Sequence, residues 1–180
     1  MAAMGNRQSP RRSVRCVTLA VAAVLALAGA GTASAQPSGC SLVADEHNPS
    51  EKILRCGSDL TIRTARGTRY KPITKEGQTV PTGAELESGA LMIEGTRDFQ
   101  ILTPHAIAAV RGTKWAVEVT AKQTSTLVIS GVVEVKHRGG KQTASLRAGQ
   151  GADISPGSGP IEVKRWKKKR VNALLARFGQ

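Results

Sequence analysis

The side chains able to do chemistry in this sequence are few and far apart. Histidines stand at His47, His105 and His137, in unrelated segments, with no spacing that would bring two imidazoles onto one metal or one imidazole beside a nucleophile. There is no HExxH, no GxSxG and no glycine-rich phosphate loop. The expectation is a protein with no catalytic residue, no metal and no cofactor. Three cysteines, Cys16, Cys40 and Cys56, contain no CxxC pair. The densest chemistry is electrostatic: Lys164, Arg165, Lys167, Lys168, Lys169 and Arg170 place six positive charges around Trp166 within seven residues. Such a run suits an anionic surface, whether lipid headgroups, acidic polysaccharide or a phosphate backbone.

Those groups need elements to position them, and residues 1–35 are not among the elements expected to remain. Arg7, Arg11, Arg12 and Arg15 stand without an acid, an apolar run from Val17 to Ala30 follows, and Ala33-Ser34-Ala35 ends it. The three parts are those of a secretory signal peptide, cleaved after Ala35. As a helix the apolar run rises about 21 Å, short of the roughly 30 Å hydrocarbon core of a bilayer, so a membrane anchor is the weaker reading. The Arg11-Arg12 pair leaves both Sec-type and twin-arginine export open. The mature chain is expected to be exported and periplasmic. Cys16 leaves with the leader, and Cys40 and Cys56 remain as an even pair in an oxidising compartment. A disulfide between them would stabilise the fold by about 3 kcal/mol in the chain-entropy model.

Charge and composition narrow the class. The full chain has 180 residues, with 26 Lys and Arg against 13 Asp and Glu, a formal charge of +13. Without the four leader arginines, 22 basic residues face 13 acidic ones, and six of the 22 lie in residues 164–170. Basicity is therefore a local feature. With 40% hydrophobic but 3% aromatic residues, the core must come from Val, Ile, Leu and Ala.

Alternation at period two recurs in short runs. Trp115, Val117 and Val119 share one face, Leu127 and Ile129 repeat the pattern, and so do Val133 and Val135. Glycines punctuate the runs at 77, 83, 89, 95, 131, 139–140 and 149 and read as turns. The expected fold is all-β: a short β-solenoid or a β-sandwich of many short strands, with a C-terminal amphipathic helix. Four parts are expected: a signal peptide (1–35), an N-terminal extension holding the cysteine pair (36–59), a β domain (60–157), and a linker with a basic helix (158–180).

The stretch from Ile101 to Trp115, ILTPHAIAAVRGTKW, is similar to the signature of the FecR domain, in which a Thr-Pro segment leads into Val-Arg-Gly-Thr and an aromatic residue. Thr103, Pro104, Val110, Arg111, Gly112, Thr113 and Trp115 carry the resemblance, and Gly131 and Gly149 continue it in the segments GVVEV and LRAGQ. The similarity spans roughly residues 76–157. It implies an extracytoplasmic all-β module that signals through contact with another protein, typically in sigma-factor regulation, and it implies no catalysis. The full regulators carry a cytoplasmic segment and a membrane helix ahead of this domain, and here a leader stands in their place. Read physically, Pro104 suits a strand entry, Gly112 a bend, and Trp115 a core short of large rings. Arg111 either ties down the bend or stands exposed as a partner contact.

After the Pro156–Pro160 linker and the basic run, Val171, Leu174, Leu175 and Phe178 place an apolar stripe on a short helix. Such a helix is marginal alone. Docking on the β domain is the leading expectation, an anionic surface the next, and nucleic acid the last. Two functions follow. One is a non-catalytic binding or signalling module that contacts an envelope protein. The other is an envelope-associated structural protein that holds an anionic membrane surface or polysaccharide through its basic helix.

Overall fold

A computed structural model describes residues 39–45, 52–157 and 159–180. The leader and His47 lie outside the described residues. Period-two alternation does produce strands, and the described residues form one 11-stranded sheet. The strands are β1 (Ser41–Ala44), β2 (Lys52–Cys56), β3 (Leu60–Thr64), β4 (Arg69–Ile73), β5 (Gly83–Leu102), β6 (Ala106–Val119), β7 (Thr124–Ser130), β8 (Val132–His137), β9 (Thr143–Arg147), β10 (Gln150–Ile154) and β11 (Lys164–Arg165). A helix, α1 (Lys168–Leu175), and a 3-10 turn (Ala176–Phe178) close the chain.

All the pairings are antiparallel. A solenoid stacks its rungs in parallel, so of the two expected architectures the sandwich is the nearer, with one open sheet folded over on itself in place of two separate sheets. The fold turns on β5 and β6, at 20 and 14 residues the two longest strands. Residues 89–95 of β5 and 113–119 of β6 pair with each other, with β3 on one side and β7 on the other. Residues 98–102 and 107–111 of the same hairpin instead continue into β8 and β9. Each long strand thus serves two half-sheets.

Gly112, which reads as a bend, and Gly89, which reads as a turn, make the corners. Residues 96 and 97 of β5 stand opposite Gly112 alone, a bulge that re-aims both strands, and Gly112 takes φ +65°. Across it the inward parity of β6 changes, from Ala106 and Ala108 to Trp115 and Val117. At Gly89 (φ +94°) β5 changes parity too, from Ala84 and Leu86 to Leu91 and Ile93. There the Thr68 hydroxyl accepts the Ala90 amide at 2.9 Å, an approach that a side chain at position 89 would block. Sequence alternation could not distinguish such a corner from a turn between two strands.

The inner faces of the two halves meet in one core. Leu60, Ile62, Leu91, Ile93, Trp115 and Val117 from one half join Ile101, Ala108, Val133, Val135 and Leu146 from the other. β1 and β2 extend the sheet beyond β3, and the Cys40–Cys56 disulfide closes their base. The N-terminal extension is thus continuous with the β domain.

Candidate interaction surface

The signature residues divide by burial. Thr103 is buried at the tip of the β5–β6 hairpin, where its amide donates to the Ala106 carbonyl at 2.9 Å and its hydroxyl accepts the Ala106 amide at 2.8 Å. The same hydroxyl lies 2.8 Å from that of Thr124, and Arg138 donates to the Thr103 carbonyl at 2.9 Å. Pro104 occupies the turn, and His105 leans on Thr124 at 3.2 Å. Val110 is half-buried against the core, Thr113 is buried, and Trp115 is fully buried. Gly131 and Gly149 hold the positive φ of the β7–β8 and β9–β10 turns. All of these build the fold.

Arg111 does not. Its side chain is 90% exposed, 3.8 Å from Asp98, itself 81% exposed. Of the two expected roles the exposed one fits the geometry: Arg111 marks the corner of the folded hairpin and leaves its guanidinium in water.

The basic C-terminal segment also divides. Trp166 is buried on the outer face of the first half-sheet, in a second apolar cluster with Met92, Ala116, Leu127, Leu174 and Phe178. Its ring seats on Gly151, where a Cβ would strike it and come within 2.7 Å of the Thr126 carbonyl. The interfacial role expected of Trp166 is therefore corrected to packing: its ring has no face left for lipid. Val171 and Leu175 pack around the same cluster, so the predicted stripe is present and docked. Arg170 stacks over Trp166 at 3.5 Å and grips Asp153 with both terminal nitrogens, one at 2.8 Å. Ser125 donates to the same carboxylate at 2.6 Å. Burial pushes the Asp153 carboxyl up, but the hydrogen bonds from Arg170 and Ser125 and the Arg170 charge outweigh it and hold the group below its ordinary range. Arg177 pairs with Glu118, and Lys164 with Glu162. Arg165, Lys167, Lys168 and Lys169 stay exposed and join no ion pair among the described residues.

The outer face of the second half-sheet has no cover among the described residues. Cross-strand register places Gln100, Ala109, Glu134 and Ser145 in one row and Leu102, Ile107, Lys136 and Thr143 in the next. Two adjoining hollows of about 600 and 400 Å³ share Gln100 and Ala109 and make a trough across β5, β6 and β8. Residues 73–82 wall one end and the β8–β9 turn the other.

Sequence reasoning missed this face, and it missed Asp153, Ser125 and Glu118 as anchors of the helix. Each anchor is an ordinary outward polar residue on its own strand. Only the docking of α1 and the 3-10 turn that follows it, distant in sequence, gives it a role. His137 donates from Nε2 to the Gly159 carbonyl at 2.9 Å. Among the described residues no three His, Cys, Asp or Glu side chains gather as a metal site, and no helix is long and apolar enough to cross a membrane.

The comparisons agree with this architecture. Two crystal structures of candidate anti-sigma factors from Parabacteroides distasonis share the fold, each at a TM-score of 0.54 and 17% identity over 79% of this chain. The match spans 63% of the length of each of those chains. No curated protein matches. Residues 51–134 match the family model described as FecR protein, starting upstream of the expected window, at the edge of β2, and ending within β8 before Gly149. Residues 51–134 thus match the FecR domain, and they include the folded β5–β6 hairpin that carries the Val110-Arg111-Gly112-Thr113 signature.

Proposed function

We propose that this chain is an exported, periplasmic, non-catalytic signalling module that works by protein contact through the open face of its second half-sheet. The FecR family and the fold shared with candidate anti-sigma factors support a regulatory signalling role. One observation carries the finer reading: among the described residues the sheet is covered by its own helix on one outer face and left open on the other, with exposed Arg111 beside it. A sheet face offered to solvent, polar at its centre and hollowed by small residues, is a ready recognition surface.

The test is site-specific photocrosslinking in intact cells. A crosslinker at Ala109 or Arg111 is expected to give a discrete protein adduct, and one at Asn172, on the exposed side of α1, none. The leader is checked separately: the mature chain in the periplasmic fraction should begin at Gln36. A chain retained in the cytoplasm with its leader intact would defeat the export half of the proposal.

A second reading rests on Arg165, Lys167, Lys168 and Lys169, which remain in solvent although the helix is docked. They could hold an anionic membrane surface or polysaccharide, each near-surface cation contributing about 1 kcal/mol before screening. Flotation with phosphatidylglycerol vesicles, lost on Lys167→Glu/Lys168→Glu/Lys169→Glu, would support it. Nucleic acid stays the last candidate, because the buried Trp166 leaves the run without a ring for bases.

A further inference from the structure

We infer that the trough on the open face receives an extended, acidic segment of a partner protein, an inference that rests on the protein-contact reading above. The charges on its rim are unequal. Arg97 is engaged with Asp59 at 3.7 Å, and Asp98 with Arg111 at 3.8 Å. That leaves Lys75, Lys136 and Lys141, which join no ion pair among the described residues, against Glu134 alone. Three uncompensated cations against one carboxylate form a local positive field, and field complementarity selects an anionic occupant.

Shape selects a polypeptide. The hollows are open and adjoin at Gln100 and Ala109, which line both, so they offer an elongated surface and not an enclosed cavity for a compact ligand. Ala109 keeps the floor low where the two meet, which lets a main chain lie close to the sheet, while Gln100 offers an amide to its carbonyls and amides. Lysines stand at both ends: Lys75 by the 73–82 wall, Lys136 and Lys141 by the β8–β9 turn. Carboxylates spaced along a strand could meet both ends at once.

The test uses the mature chain with its disulfide intact and a fluorescent peptide of alternating Glu and Ala, read by anisotropy. The Glu peptide should bind, its Gln counterpart should not, and Lys136→Glu/Lys141→Glu should weaken binding on the order of tenfold or more. Ala109→Trp fills the floor without changing charge and should weaken it as well. Equal binding of the Gln peptide overturns the inference. So does binding that responds only to Lys167→Glu/Lys168→Glu/Lys169→Glu. Dextran sulfate and phosphatidylglycerol vesicles are the other anionic sources, and if the trough variant weakens them as much as the peptide, no acidic segment is being selected. A protein adduct at Ala109 that persists unchanged in the Lys136→Glu/Lys141→Glu variant sinks the acidic-segment inference and spares the protein-contact reading. Loss of peptide binding together with an absent adduct at both Ala109 and Arg111 removes both.

Discussion

The two outer faces of this folded sheet are built from the same two strands and have opposite fates. On the first half, β5 and β6 turn Met92 and Ala116 outward, and with Leu127 they make an apolar floor that Trp166, Leu174 and Phe178 cover. On the second half, the same strands turn Gln100, Leu102, Ile107, Ala109 and Arg111 outward, and no other described element covers the face. The change happens within one hairpin, across Gly112. A face that must be hidden is apolar and needs a cover, so the chain keeps a terminal helix for it. The second face mixes Gln100, Ala109, Arg111 and Glu134 with the half-buried Leu102 and Ile107, and such a mixed face is stable in water without a cover. Residue type on each side of the corner thus separates a face packed under the helix from one left exposed among the described residues.

The most severe way to break the contrast is to remove the cover. Phe178→Ala empties a fully buried site in the helix interface and should cost about 3–5 kcal/mol in urea denaturation, with new binding of a hydrophobic dye where Met92 and Leu127 become exposed. A loss under about 1 kcal/mol would mean the helix is not the cover described here. Next in size is the disulfide. Cys40→Ser/Cys56→Ser opens a crosslink between residues 16 apart and should cost about 3 kcal/mol, acting on β1 and β2 while the dye signal stays low. Dye binding like that of Phe178→Ala would show the two regions to be coupled.

These ranks also mark what the sequence made legible. Strand period, the cysteine pair and the helical stripe at Val171, Leu174, Leu175 and Phe178 are local patterns, and each survives in the structure. The signature led to the right hairpin, and its buried members are the fold's corner and core. Three things were not legible. Gly89 and Gly95 look like turns because a bulged corner and a turn use the same residue, whereas the bend read at Gly112 is there. The placement of Trp166 was hidden because its partner, Gly151, lies across a linker and a strand pairing. The trough was hidden because it exists only as cross-strand rows, set by register and not by sequence neighbours.

A smaller effect comes from the Arg170–Asp153 clamp that holds the cover. The Asp153 carboxyl is held below its ordinary value of 3.8, so its contribution is complete above that value and is lost as pH falls through the depressed folded value. Asp153 and Arg170 side chains are 35% and 43% exposed, so screening keeps the contribution under about 1 kcal/mol. Asp153→Asn should therefore destabilise the protein modestly at neutral pH, and the variant and wild type should become equal once the pH falls below the depressed folded value. A gap that persists unchanged in acid would assign the effect to lost packing and not to charge.

The smallest effect sharpens the comparison most. If the open face serves recognition, substitutions there should leave stability within about 0.5 kcal/mol of wild type while changing the crosslinking pattern. Arg111→Ala is the direct case. Its guanidinium is exposed and its one described ion pair, with Asp98 at 3.8 Å, is exposed as well, so little folding energy depends on it. The urea midpoint should hold and the adduct from a crosslinker at Ala109 should weaken or disappear. A drop in stability of several kcal/mol would place Arg111 among the residues that tie the corner together, and the open face would lose the charged residue that distinguishes it from an ordinary sheet surface.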